Sequence, residues 1–200
     1  MNFIKEVYYY DMTLLVKVTI FCWQGPSSTR GVDVLKQLLS AGADPNMKNK
    51  YGNYPLFELV STRREGKENI SLKYLKLLLQ QNSKAETVVN LDNQVVTPLA
   101  ASIEANNILL TETLISEKVN LNIPISISSS SVLTPLGAAV RMKNKDLVSL
   151  ILKHGQNHCI YTEADVTRDP RDCLEMAVAS RDPQVIQLFS NSQKQIREEL

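Results

Sequence analysis

The stretch that decides the fold is residues 32–60, VDVLKQLLSAGADPNMKNKYGNYPLFELV. Val34, Leu35, Leu38 and Leu39 sit at the i, i+1, i+4, i+5 spacing that lays one apolar stripe along a helix. Gly42 follows where a helix C-terminus calls for a left-handed residue, a conformation glycine takes without a Cβ penalty. Asp44, Pro45 and Asn46 then carry the chain outward, and Tyr51-Gly52-Asn53 supplies a tight turn. Tyr54-Pro55-Leu56 opens a second helix, with Pro55 in the first turn, where its missing N–H costs nothing. Such a unit cannot bury its own apolar face, so copies of it must stack.

Copies are present. Thr97-Pro98-Leu99 and Thr134-Pro135-Leu136 repeat the Tyr54-Pro55-Leu56 signal, spaced by 43 residues (55 to 98) and 37 residues (98 to 135). The helix-end signal returns in residues 77–85, 113–122 and 150–157, where Asn82, Lys118 and Gly155 stand in place of Gly42. Asparagine is the ordinary second choice for a left-handed cap, but lysine is not, and a looser helix end is expected at Lys118. A period near 37 residues with two helices in each predicts an all-α solenoid of about five stacked helix-turn-helix units.

On these residues the chain resembles the ankyrin-repeat family. Ala41-Gly42-Ala43-Asp44-Pro45-Asn46 matches that family's G-A-D-x-N, while Thr134-Pro135-Leu136-Gly137-Ala138-Ala139 and Thr97-Pro98-Leu99-Ala100-Ala101 match its T-P-L-H-x-A. The histidine of that pattern is replaced by Phe57, Ala100 and Gly137, which removes a usual hydrogen-bond link between neighbouring repeats. The likeness covers roughly residues 11–191. It implies one domain with short hairpin fingers and repeats at about 12–46, 47–84, 85–122, 123–156 and 157–192. Residues 1–11 would then cap the first repeat, and residues 193–200 would form a polar tail.

Composition narrows the function classes. A content of 44% hydrophobic and 22% charged residues is that of an ordinary soluble domain. The formal net charge of +1 argues against a dedicated nucleic-acid binder, which gathers a basic surplus on one face. Cys22, Cys159 and Cys173 are odd in number and scattered, the usage of a reducing compartment and not of a disulfide-stapled secreted domain. The apolar run 14–23 is too short to span a bilayer, and the acidic Glu6 and Asp11 before it are wrong for a signal peptide. A cytoplasmic site of action without membrane contact is expected, with delivery into a host cell as an extension of that reading.

Along the chain, helices are expected at 55–62, 71–81, 98–106, 108–116, 135–142, 145–153, 172–179 and 183–190. Residues 13–23 read as a helix or, from their Thr, Val and Ile, as a strand. Residues 24–28 and the charged 63–69 read as loops. Ile123, Ile125 and Ile127 alternate as in a short strand, although the serine run after them reads more as a solvated tip. The stripes place Leu35, Leu38, Leu39, Leu56, Leu59, Leu75, Leu78, Leu79, Leu99, Leu114, Ile115, Leu136, Ala139, Leu147, Ile151, Leu174 and Ile186 in the core.

One polar cluster invites a chemical reading: His154, His158 and Cys159, with Cys173 further on. Two histidines and two cysteines can hold zinc. Gly155, however, stops the helix between the histidines, and no glycine-rich elbow or phosphate loop accompanies the cysteines. Neither an enzyme, a metal nor a cofactor is expected. The family resemblance instead implies a platform of fingers and first helices that binds another protein. By register with T-P-L its contact positions fall on Lys50, Tyr51, Asn53, Ser61 and Thr62, on Asn93, Gln94, Val96, Glu104 and Ala105, and on Ser130, Ser131, Leu133, Arg141 and Met142. A monomeric, non-catalytic binding module follows, and in its narrower form a pathogen effector acting on a host protein. The alternatives are the docking domain of an enzyme whose catalytic part lies outside this chain, or an enzyme dependent on the Cys/His cluster.

Overall fold

The structure, a computed structural model, describes residues 28–61, 66–81, 85, 89–91, 94–123, 125–128, 131–155, 159 and 171–198. The expected N-terminal cap at 1–11, the helix at 13–23, Arg63 and Arg64 of the charged insertion, Asn82 and His158 lie outside the described residues. The chain divides into two compact units, residues 1–114 and 115–200.

The first unit contains α1 (Ser28–Ser40), α2 (Pro55–Val60), α3 (Glu68–Gln80), the strands β1 (Val89–Leu91) and β2 (Gln94–Val96), α4 (Pro98–Glu104) and most of α5 (Ile108–Ser116). α1 begins at Ser28, inside what reads as the end of a loop. Its buried line is Gly31, Leu35 and Leu39, with Val32 and Leu38 half-buried on either side. Val34 is 38% exposed, because at about 100° per residue it lies a full step from Leu35 on the side away from Leu39. The i, i+1, i+4, i+5 set is thus too wide by one residue, and the apolar stripe is an i, i+4 line.

Helices of like position pack on each other. α1 packs on α3 and α2 on α4, while α2 also packs on α3, so the unit has two layers. Its core is Leu35, Leu56, Leu59, Leu75, Leu78 and Leu99, joined by Tyr54, Phe57, Tyr74, Ile103 and Leu110. Tyr54 and Phe57 lie three residues apart, with ring centroids separated by 6.2 Å, and fill the space an aliphatic pair would leave. Leu79 is half-buried.

The second unit holds β3 (Ile125–Ser128), β4 (Ser131–Leu133), α6 (Pro135–Arg141), α7 (Lys145–Lys153), α8 (Arg171–Ser180) and α9 (Pro183–Glu198). The same two layers form: α6 packs on α8, α7 on α9, and each pair is joined across the layers by α6 on α7 and α8 on α9. Leu136, Ala139, Leu147, Val148, Ile151, Ala177 and Val185 are buried between them, while Leu174 and Ile186 are half-buried. α9 runs to Glu198, well past the expected end at 190, since Gln, Lys, Arg and Glu are good helix formers and no Gly or Pro interrupts them.

The fingers are hairpins in two places. β1 pairs antiparallel with β2, Val89 opposite Val96. β3 pairs antiparallel with β4, Ile125 opposite Leu133, with an irregularity between Ser126 and Ser128. The strand reading therefore holds for Ile125 and Ile127 but not for Ile123, which precedes β3. Ile125 is buried, and residues 129–130 of the serine run lie outside the described residues. In the finger before α2 the turn is closed by Asn49, whose Oδ1 accepts from the main-chain N–H groups of Tyr51 and Asn53, both at 2.9 Å.

One backbone device recurs. α4 and α6 each start with a threonine whose Oγ1 accepts a main-chain N–H three residues on, Thr97 from Ala100 and Thr134 from Gly137, both at 3.2 Å. Each ends with a left-handed residue: Asn106 and Lys143, both at φ 54°, followed by Arg181 at φ 56° after α8. Asn106 N–H bonds the Ile103 carbonyl and Asn107 N–H that of Ser102; Lys143 and Asn144 bond those of Val140 and Ala139 in the same pattern. The next residue caps the following helix. Asn144 Oδ1 accepts from the N–H groups of Asp146 and Leu147 at 3.0 Å, and Asp182 Oδ1 from that of Gln184 at 2.9 Å. Gly66, at φ 74°, holds the corresponding place before α3. Positions 106, 143 and 181 are spaced by 37 and 38 residues.

The second-layer helices α1, α5 and α7 end the same way, and here the expectation of a looser end at Lys118 is corrected. Lys118 takes φ 60° beside Gly42 at 85° and Gly155 at 86°, and its N–H bonds the Ile115 carbonyl at 2.9 Å. The buried Val119 that follows anchors the turn, and this burial offsets the Cβ penalty of a left-handed lysine.

Candidate binding surface

In the first unit the finger before α2 presents Lys50 and Tyr51. Tyr51 is 60% exposed, and the Lys50 ammonium sits 4.9 Å from its ring centroid, within cation–π range. The turn that holds them is stiff, because the Asn49 side chain occupies two of its main-chain donors and Asn49 N–H bonds the Asn53 carbonyl at 2.7 Å. A tyrosine on a rigid turn loses little conformational entropy on contact.

Asn53 and Ser61 are half-buried and already engaged. Asn53 Nδ2 donates to Glu58 Oε1 at 2.7 Å, and Ser61 Oγ donates to the Glu58 carbonyl at 3.3 Å. Glu58, which the register with T-P-L does not single out, thus ties the finger to α2 through its side chain and accepts the C-cap Ser61 through its carbonyl. A short glutamate-bearing helix after a turn asparagine carries that signal, but only the folded turn makes it visible. Thr62 and Asn93 lie outside the described residues, and Gln94 is described only as a β2 residue opposite Leu91. Glu104 ends α4 with an exposed surface, yet desolvation pushes its carboxyl above the ordinary glutamate range.

In the second unit Arg141 ends α6 and is exposed, and Met142 follows as the half-buried C-cap. Leu133, expected at the platform, is buried at 3% exposure at the foot of the finger. Among the described residues, the large exposed apolar side chains beyond the expected set are Val34 in the first unit and Val178, at 55%, in the second. Val178 stands 38 residues after Val140, in register with it, yet Val140 is buried and Val178 is exposed.

The Cys/His cluster has a chemistry that neither the zinc nor the nucleophile reading weighed for it contains. Cys159 and Cys173 form a disulfide with a Cα–Cα distance of 5.0 Å, and both are fully buried. This corrects the reading of the cysteines as unpaired thiols. Scattering along the sequence is no guide here, since α8 packs on α6 and brings Cys173 to the chain that crosses the start of α6. A disulfide sulfur is neither a thiolate nucleophile nor a zinc ligand. His154 is exposed at the end of α7, with Nδ1 3.0 Å from the Leu150 carbonyl oxygen, to which it donates. Among the described residues no group of three or more His, Cys, Asp and Glu could hold a metal ion, and no helix is long and apolar enough to cross a membrane. No protein-family model matches the chain, and no curated protein matches it either.

Proposed function

We propose that the chain is a non-catalytic, ankyrin-like repeat module that binds a partner protein through its fingers and first-layer helices. The observation that carries this reading is the recurrent backbone device: left-handed turns at 106, 143 and 181, each leading from a first-layer helix into a capped second-layer helix. Repeated hairpins whose like helices pack layer on layer bury their faces only against neighbours, and such architectures use their fingers for recognition. In the first unit the contact is centred on Tyr51 with Lys50, an exposed aromatic and cation of the kind that dominates protein interfaces. In the second unit it is centred on Arg141 and Met142. A pathogen effector acting on a host protein is the narrower form of the proposal, resting on the chain's divergent repeats and its frequent Asn, Lys, Ser and Ile.

The test is affinity capture from a cell extract, run side by side with the wild-type chain, Tyr51→Ala, Arg141→Ala and the off-finger control Lys73→Ala. A partner retained by the wild type and the control, and lost on Tyr51→Ala or Arg141→Ala with an unchanged circular-dichroism spectrum, supports the module. A partner held equally by all four forms, or turnover of a small substrate with no partner retained, overturns it.

A further inference from the structure

We propose that the Cys159–Cys173 pair is a redox latch on the second unit, one that fastens the start of α6 when oxidised and releases it when reduced. This inference does not depend on what the fingers bind.

The seat is unusually close. The Cys159 carbonyl accepts the Thr134 N–H at 2.9 Å, and Thr134 in turn caps α6 through Gly137 N–H. A Cβ placed on Gly137 would lie 3.2 Å from Cys159 Cα and 2.9 Å from its carbonyl carbon, and closer still to the carbonyl oxygen. The main chain at 159 therefore lies flat on the first turn of α6, in a space that only glycine leaves. The other half of the bridge, Cys173, is in α8, which packs on α6. One covalent bond thus joins the hydrogen bond at the foot of the β3–β4 finger to the neighbouring first-layer helix.

Sequence separation is 14 residues, so the bond closes a loop whose loss of freedom in the unfolded chain stabilises the folded one. Without the bond, the Cys159 main chain is held only by the Thr134 hydrogen bond and by its packing on Gly137. Formation removes one hydrogen from each thiol, and the two electrons and two protons pass to a small disulfide oxidant such as oxidised glutathione, which leaves as two thiols. Reduction runs the other way: a thiolate attacks one sulfur, a mixed disulfide forms, and a second thiolate releases the pair. Both cysteines are fully buried, so that attack must wait for a local opening of the seat. The latch is slow in the folded state.

The experiment uses the full chain with Cys22→Ser, which leaves one possible intramolecular pair. It is treated either with oxidised glutathione or with dithiothreitol. Intact mass, the thermal midpoint and amide exchange at Thr134 are then read. The oxidised form is expected to lose about 2 Da and to melt about 10 °C or more above the reduced form. The Thr134 amide should exchange on the order of tenfold faster after reduction, with a smaller change at Val148, whose N–H bonds Asn144 inside α7. A Cys159→Ser/Cys173→Ser version should melt with the reduced form and ignore the oxidant; should it fail to fold, the two redox states of the parent decide alone. Dithiothreitol should reduce the bond far faster in denaturant than in buffer. Thiols that stay alkylatable after oxidant treatment, or two redox states with one midpoint and one Thr134 exchange rate, overturn the latch. Equal reduction rates with and without denaturant overturn its gating.

Discussion

α4 and α6 begin with the same three residues and part at the fourth. Thr97-Pro98-Leu99 and Thr134-Pro135-Leu136 give each helix a threonine cap, a proline in the first turn and a buried leucine. Then α4 has Ala100, which is buried yet keeps its methyl group, whereas α6 has Gly137, against which the main chain of Cys159 rests. The local code for starting a helix is the same in the two units. What differs is the neighbour, and a single methyl group records it.

Removing what the two helices share should cost most. Leu99→Ala and Leu136→Ala each delete a core side chain, at 1% and 0% exposure, and each should destabilise its own unit by about 2–5 kcal/mol in chemical denaturation. Similar losses in both units would support a common packing role, and a loss confined to one would break the equivalence of the two helices.

Exchanging the fourth residues should then separate them. Gly137→Ala pushes a Cβ into the main chain of Cys159, a rigid neighbour, and should cost about 1–3 kcal/mol or more. That sign is opposite to the usual gain of roughly 1 kcal/mol for alanine over glycine within a helix. Ala100→Gly meets no such contact and should cost only about 1 kcal/mol from helix propensity and the lost methyl. If Gly137→Ala were neutral or stabilising by equilibrium denaturation, the seat of Cys159 would be wrongly placed.

The far ends of the same helices offer a finer contrast. Asn106 and Lys143 share φ 54°, but asparagine tolerates the left-handed region and lysine does not. Lys143→Gly should therefore raise stability by up to about 1 kcal/mol, and Asn106→Gly by less. Equal gains would show that the dihedral alone sets the cost, whatever side chain it carries.

These contrasts also mark what was legible in the sequence. The starts of α4 and α6 were, because Thr-Pro-Leu specifies a cap and a first turn within four residues, whereas α1 and α3 begin at Ser28 and Glu68, inside stretches that read as loops. α5 and α7 were legible at both ends, since a compact apolar run between polar turns fixes the span. The left-handed Lys118 was not, because its conformation is imposed by burial of Val119 and by the helix before it, not by its own preference. The disulfide was hidden for a related reason: 14 residues of separation say nothing until α8 is packed on α6. At the surface, register placed Lys50 and Tyr51 on an exposed finger. It could not tell that Asn53 and Ser61 are occupied by Glu58, because hydrogen-bond partners five and three residues away depend on how the turn closes.

The last contrast is of charge. Glu104 and Arg141 close α4 and α6 at corresponding positions, one a carboxylate and one a guanidinium. A cation suits the carbonyl end of a helix and an anion does not. At Glu104 desolvation raises the folded-state carboxyl above its ordinary value, so between that value and the raised one the folded chain holds more protons than the unfolded chain. Its contribution is therefore full at low pH and is lost as pH rises through the raised value. Glu104→Gln abolishes this titration while other groups cancel in the comparison. Relative to Glu104→Gln, the parent chain should weaken as pH rises from about 4 through the raised value and level off above it. The effect should stay below about 1 kcal/mol, because the side chain is exposed enough for solvent to screen it. Denaturation midpoints of the two chains that ran parallel across that interval would mean that the end of α4 is as well hydrated as free glutamate, and the charge contrast with α6 would carry no energy.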